Sequence, residues 1–187
     1  QCLTLEPGEG LEERGTTLLF GTYTSQQGPV RVISAYCPNG QDLESDKYEY
    51  NMNCFAALHD WLQDELQRYP HLAILGDYNV APADIDIHDP KKWEGKIHAS
   101  DAERAAWQKL IDLGLHDAFR INHPDDPGFT WWDYRRGAFR RDAGLRIDHA
   151  LISDALLPHY MDCVVDKAPR SNVQPSDHTP VIVELNI

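Results

Sequence analysis

Leu72-Ala73-Ile74-Leu75-Gly76-Asp77-Tyr78-Asn79 is the stretch on which the fold turns. An apolar run after Pro70 and His71 reads as a short buried strand, and it ends in a cluster of polar side chains. The arrangement recurs twice. Arg146-Ile147-Asp148-His149 runs into Ala150-Leu151-Ile152, and Ser176-Asp177-His178 opens Pro180-Val181-Ile182-Val183. A strand already carries backbone order, so a polar side chain at its end is held in place without further ordering. Three such ends, brought together, gather carboxylates, an amide and an imidazole, a donor set suited to a hard cation and a phosphate.

Working outward, Thr17 to Thr22 and Val30 to Cys37 are β-branched runs joined by Ser25-Gln26-Gln27-Gly28-Pro29, a hairpin signal. Tyr48, Met52, Phe55, Leu58, Leu62 and Leu66 recur at helical spacing and predict an amphipathic helix ending near Tyr69-Pro70. Residues 81 to 99 are rich in Asp and Pro and lack a period, and they lack the spacing of an EF-hand. Ser100 and Glu103 form a capping-box pattern that opens a second helix, which stops at Gly114. Phe129 to Tyr134, Leu145 to Ile152, Tyr160 to Val165 and Thr179 to Leu185 read as strands. The chain is therefore of the α/β class, with no internal repeat and with long loops gathered at one edge.

The chain has 187 residues, 42% apolar and 25% charged, the balance of one globular domain. It has no apolar run long enough to cross a bilayer, and no membrane partner is expected. It begins with Gln1 rather than Met, which points to a fragment. The net charge of −13 argues against coating nucleic acid through bulk electrostatics. The basic residues are uneven, however. Arg135, Arg136, Arg140, Arg141 and Arg146 fall close together, interrupted by a single acid, Asp142, and such a loop can meet a polyanion locally. Cys2, Cys37, Cys54 and Cys163 form no C-x-x-C pair and read as core thiols of a reducing compartment, with no zinc site.

Phosphodiester hydrolysis needs charge neutralisation on the phosphoryl oxygens, a carboxylate to handle water, and a donor for the charge that develops in the transition state. Asp77 and Asn79 flank Tyr78, so on an extended chain they point the same way. Asp177 and His178 offer a ligand and a titratable donor, and Asp148 from another strand can orient His178 and keep it charged.

The segments Ser34-Ala35-Tyr36-Cys37-Pro38-Asn39-Gly40, Gly76-Asp77-Tyr78-Asn79, Phe129-Thr130-Trp131-Trp132-Asp133-Tyr134-Arg135, Gly144-Leu145-Arg146-Ile147-Asp148 and Pro175-Ser176-Asp177-His178 together resemble bacterial exonuclease III, a family of the endonuclease/exonuclease/phosphatase superfamily. The resemblance implies a four-layer α/β/β/α sandwich with mostly antiparallel or mixed sheets, and metal-dependent hydrolysis of double-stranded DNA. It implies 3′-to-5′ exonuclease action, with abasic-site cleavage and 3′-phosphatase activity beside it, in the cytoplasm. By the same resemblance, Tyr36 contacts the scissile phosphate. Asp77 handles the water or leaving-group proton, Asn79 orients the nucleophile, Asp148 pairs with the histidine, and His178 binds a phosphate oxygen. Mg²⁺ or Mn²⁺ is expected at Asp77, Asn79 and Asp177. Trp131, Trp132, Arg135, Arg136, Arg140 and Arg141 are expected at the duplex, with one tryptophan in the core and one facing DNA.

The match departs from the family at the front. The family's early Asn and its metal-binding Glu have no counterpart, since Glu6, Glu9, Glu12 and Glu13 lie in no matching motif. Residues 1–187 are thus expected to form one nuclease domain lacking its N-terminal part, with a bared sheet face covered by a homodimer. Two alternatives stay open: a nucleic-acid-binding remnant without turnover, and a relative acting on RNA or another phosphoester.

Overall fold

The computed structural model describes Glu6, Pro7 and residues 17 to 187. Cys2 and the early glutamates other than Glu6 lie outside the described residues. A six-stranded mixed sheet runs through the molecule. It contains β1 (Glu6–Pro7), β2 (Thr17–Ser25), β3 (Gly28–Tyr36), β4 (Leu72–Asp77), β5 (Leu115–Asp117) and β6 (Asp148–Ser153), in the order β1-β2-β3-β4-β6-β5. β3 and β4 are parallel, and the other neighbours are antiparallel. The predicted hairpin is β2–β3, paired from Thr17↔Tyr36 to Ser25↔Gly28. A second sheet pairs β7 (Tyr160–Val165) with β8 (Val181–Leu185).

A parallel pair needs a crossover, and α1 (Asp46–Arg68) supplies it between β3 and β4. Ser45 caps α1 by accepting from the Tyr48 amide at 3.1 Å, and the helix stops before Pro70, as the sequence predicts. α3 (Asp101–Ile111) starts with the Ser100–Glu103 capping box that was expected. These two helices press Phe55, Leu58, Leu62, Trp107 and Leu110 onto Ile33, Leu72, Ile74 and Leu151 of the large sheet. On its other face Val30, Ala73, Ala150 and Ile152 pack against Cys163, Val181 and Val183 of the small sheet. The expected stacking of two sheets is therefore present, with α1 and α3 on the outer face of the large sheet. Met161, Val164 and Ile182 of the small sheet are exposed.

Short elements escape periodicity. Three-residue β5, α2 (Pro90–Trp93) and α4 (Ala118–Asn122) were not anticipated. Phe129 to Tyr134 does not form the expected strand. Trp131 pairs with Leu145 through two backbone bonds of 3.0 Å each, after which the Trp132 amide turns to the Asp177 carbonyl. Two successive partners pull the segment apart, so neither ladder extends. β6 starts at Asp148 rather than Leu145 for a similar reason: the Arg146 amide donates to the Asp86 carbonyl at 2.9 Å. Among the described residues, Cys37, Cys54 and Cys163 are buried, as core thiols should be.

Gly76 is the tightest point of the large sheet. Its φ is +152°, and a Cβ there would sit 1.8 Å from the Ala35 carbonyl oxygen on the neighbouring strand. Gly76→Ala is expected to lower stability by about 3 kcal/mol or more, because both backbone strain and a backbone clash arise at once. Urea unfolding at fixed pH measures this, and a loss under about 1 kcal/mol contradicts it.

Candidate active site

Register decides the site. Tyr36 lies opposite Asp77 across β3–β4, and Asp77 lies opposite Asp148 across β4–β6. Strand alternation puts all three side chains on the face shared with Val32, Leu75 and Ala150, the face toward the small sheet. They form a row across three adjacent strand ends. His178, from the segment that leads into β8, completes it: its Nδ1–H donates to Asp148 Oδ2 at 2.8 Å. Ligand atoms of Asp77, Asp148 and His178 all fall within 4.8 Å of one another.

Asn79 reaches the same place by a different path from the one expected. β4 ends at Asp77, and Asn79 has a left-handed backbone with φ +53°. Asn tolerates this conformation better than most residues. Its amide donates to Asp77 Oδ1 at 2.8 Å, and its Nδ2 donates to Asp77 Oδ2 at 3.1 Å and to the Cys37 carbonyl at 2.9 Å. A turn, not an extended strand, brings the two side chains to one side.

Asp177 stands apart from this cluster of acids. Its Oδ2 accepts the Trp131 indole N–H at 3.0 Å. Trp131 is half-buried beside His98, and Trp132 is fully buried, its N–H bonded to Asp142 at 3.0 Å. One tryptophan is therefore core and the other borders the site, as strand alternation led us to expect, although the segment is not a regular strand. Arg135, Arg136, Arg140 and Arg141 are exposed on two consecutive short 3₁₀ turns. A cleft of about 360 Å³ lined by Lys92, Trp93, Trp131, Arg135, Arg136 and Arg141 joins this loop to the edge of the site. Arg146 does not belong with them. It is buried and bonded to Asp86 at 2.6 Å and to Asp117 at 2.8 Å. That internal ion-pair network ties the turn at 84–86 to the approach to β6.

Three contributors went unread in the sequence. Thr130 Oγ1 accepts the amides of Ile147 and Asp148, both at 3.1 Å, and its carbonyl accepts the Thr179 amide at 2.8 Å. It thereby joins the approach to β6 to the segment bearing His178. His98 Nδ1–H donates to the Asn79 carbonyl at 2.7 Å, and His149 Nε2–H donates to the Val80 carbonyl at 2.8 Å. Thr130 sat inside the quoted Phe-Thr-Trp motif, and its polarity within an apolar run was the signal available. His98 lies in an aperiodic stretch and gave none.

The electrostatics follow from the geometry. Burial first, then the charge of Asp148, pushes the Asp77 carboxyl up to about 7, against the pull of the Asn79 hydrogen bonds and of His178. Burial disfavours charge on His178, but the hydrogen bond and charge of Asp148 outweigh it and raise its pKa. Two carboxylates held side by side fit a cation, which would relieve the repulsion between them. Burial, Asp77 and Cys37 raise the Tyr36 phenol, which therefore stays a hydrogen-bond donor at neutral pH.

A carboxyl raised in the folded state favours folding while protonated. That contribution is complete below the unfolded carboxylate pKa near 4 and is lost as pH rises to about 7. His178 acts with the same sign, its share being lost as pH rises through its own raised pKa. In EDTA, stability should fall by a few kcal/mol, about 3–4 at most from Asp77, between pH 4.5 and 8. Asp77→Asn should flatten that slope and raise the stability at pH 8, and added Mg²⁺ should raise it for the unaltered protein. Urea titrations at the two pH values check this, and an equal slope in both proteins would remove Asp77 as its source.

The same residues anchor the similarity to known proteins. A model described as Endonuclease/Exonuclease/phosphatase family matches residues 15–178. Exodeoxyribonuclease III of Haemophilus influenzae is 33% identical over 182 residues, which cover 93% of this chain and 68% of the relative. The exodeoxyribonuclease of Bacillus subtilis is 34% identical over 159 residues, with 84% of this chain and 61% of the relative covered. Among solved structures, a 3′ phosphatase from Neisseria bound to a product DNA hairpin superposes with a TM-score of 0.91 at 42% identity, covering 98% of this chain and 70% of that one. The chain thus spans roughly two thirds of the length of these relatives. It belongs to the endonuclease/exonuclease/phosphatase family and groups there with the exodeoxyribonuclease III-like nucleases.

Proposed function

We propose that this chain hydrolyses DNA phosphodiesters with a divalent cation, Mg²⁺ or Mn²⁺, removing nucleotides from 3′ ends of duplex DNA. Abasic-site cleavage and 3′-phosphate removal are further reactions of the same centre. The observation that carries this reading is the row Tyr36–Asp77–Asp148 across three strand ends, with His178 bonded to its last member.

Each role follows from local chemistry. Asp77, at the centre of the row, stands where it can take a proton from the attacking water or return one to the leaving oxygen; its carboxyl is raised to about 7 in the metal-free site, and a bound cation would lower it. Asn79, pinned by three hydrogen bonds through its amide and side chain, orients the nucleophile. Asp148 holds His178 protonated, and the imidazolium donates to a phosphoryl oxygen. Tyr36, neutral and exposed at the end of the row, donates to another.

Asp77 and Asp148 supply the carboxylates for the cation, with Asn79 bonded to Asp77 beside them. The bond from Trp131 makes Asp177 an anchor of the His178 segment in this reading, in place of the ligand inferred from sequence. When bound, the cation neutralises charge on the phosphoryl group. Trp131 and the four exposed arginines meet the duplex, and the buried Trp132 supports them from below. A homodimer, expected from the sequence, would cover the exposed apolar residues of the small sheet, Met161, Val164 and Ile182.

Activity on a labelled duplex carrying a 3′ end and an internal abasic site should require Mg²⁺ or Mn²⁺ and vanish in EDTA. Asp77→Ala should lower kcat by about 10²–10⁴-fold. Full activity in that variant sinks the assignment. Competition with RNA and with small phosphate esters separates the duplex nuclease from a relative acting on another phosphoester. Binding without metal-dependent turnover favours the remnant. Replacing Arg140 and Arg141 together with Ala should weaken DNA binding across all sequences and reduce the salt slope by about two. An unchanged slope takes the loop out of the interface.

A further inference from the structure

The row of acids has a back side, and it carries groups that catalysis does not use. Strand alternation turns Tyr78 and His149 away from Asp77 and Asp148, into the layer beneath α3. Both are buried, and the His149 ring packs against Trp107 of α3 with centroids 4.4 Å apart and planes tilted by 49°. The Tyr78 hydroxyl and His149 Nδ1 have no partner among the described residues. An unpartnered Nδ1 beside a bonded Nε2 fixes the ring as the neutral Nε2–H tautomer, since the Val80 carbonyl can only accept.

Val80 directly follows the left-handed turn at Asn79. The preceding carbonyl, of Asn79 itself, accepts from His98, whose Nε2 meets the Asn39 side chain at 3.3 Å. Two neutral imidazoles from different segments thus grip two successive carbonyls at the one turn that aims the Asn79 side chain. On the near side of the turn, the Tyr78 amide donates to the Ile147 carbonyl at 3.0 Å.

The geometry points to His149 as a positioning residue: with His98, it clamps the backbone at Asn79–Val80 and so holds the Asn79 amide and the Asp77 carboxylate in register for the reaction. His149 touches neither substrate nor cation. It acts through the Val80 carbonyl, next in sequence to the residue that orients the nucleophile. A donor at the Nε2 position is the whole requirement. Gln, whose side-chain nitrogen reaches about as far as Nε2, satisfies it, while Leu fills the space without a donor.

This inference rests on the nuclease reading, and its test separates the two. His149→Leu and His149→Gln are compared with the unaltered protein for kcat and KM on duplex DNA, and for hydrogen exchange at the amides of Asn79 and Ala81. The Leu variant should lose about 10²-fold in kcat at unchanged KM, because the reacting groups are displaced while the DNA surface is intact. The Gln variant should recover most of it. Exchange at the two amides should speed up about tenfold in the Leu variant only, with the strands of the large sheet unchanged. Equal loss in both variants means that the ring matters only for packing, and a Leu variant with unaltered kcat and exchange removes the clamp. Where the unaltered protein shows no turnover, the nuclease reading falls, and exchange alone still decides the clamp.

Discussion

The antiparallel pairing of β4 with β6 is the constraint on which the site depends. Its register sets Asp77 directly opposite Asp148. Two carboxyls on the same face of neighbouring strands repel, and removing them from water adds to the cost. The sheet nonetheless holds this register because shifting it by one residue would turn Ala150 and Ile152 out of one core and Leu151 out of the other. Hydrophobic burial on both faces of β6 thus outweighs a local electrostatic penalty. The penalty appears as the raised pKa of Asp77.

The long, repetitive parts of this fold were legible in the sequence. α1, α3, the β2–β3 hairpin, β4, β7 and the strand ends all follow from periodicity and capping residues, since those signals are summed over many positions. The acids were legible because each stood at the end of an apolar run, where a charge has no packing reason to be. What could not be read was anything set by contact between distant segments. Arg146 looked like part of a basic loop, yet Asp86 and Asp117, far from it in sequence, draw it inside. Asp177 reads as a ligand beside His178, and only the fold reveals that the Trp131 indole N–H donates to one of its two carboxylate oxygens. The left-handed turn at Asn79 was invisible too, because one backbone torsion leaves no trace in hydrophobic pattern.

The two faces of the large sheet divide the labour. Toward the small sheet stand groups that can be charged: Tyr36, Asp77, Asp148 and, from across the gap, His178. Toward the helices stand groups held neutral by burial, Tyr78 and His149, within the aromatic packing of Phe55 and Trp107. Alternation along a strand makes the division automatic, since each catalytic side chain has a neighbour pointing the other way. The Asp-Tyr-Asn and Asp-His dipeptide patterns in the sequence are therefore front and back of one device. On the proposed reading the front supplies the chemistry, and the back fixes its position against the helical layer.

That arrangement locates the trade between stability and activity in a few atoms. The helical layer and its core are closely packed, so they supply rigidity. The front row concentrates two unfavourable terms: crowded carboxyls and a left-handed Asn. Substitutions that relax any of these terms stabilise the fold and blunt the chemistry together, because the strain and the reactivity belong to the same groups.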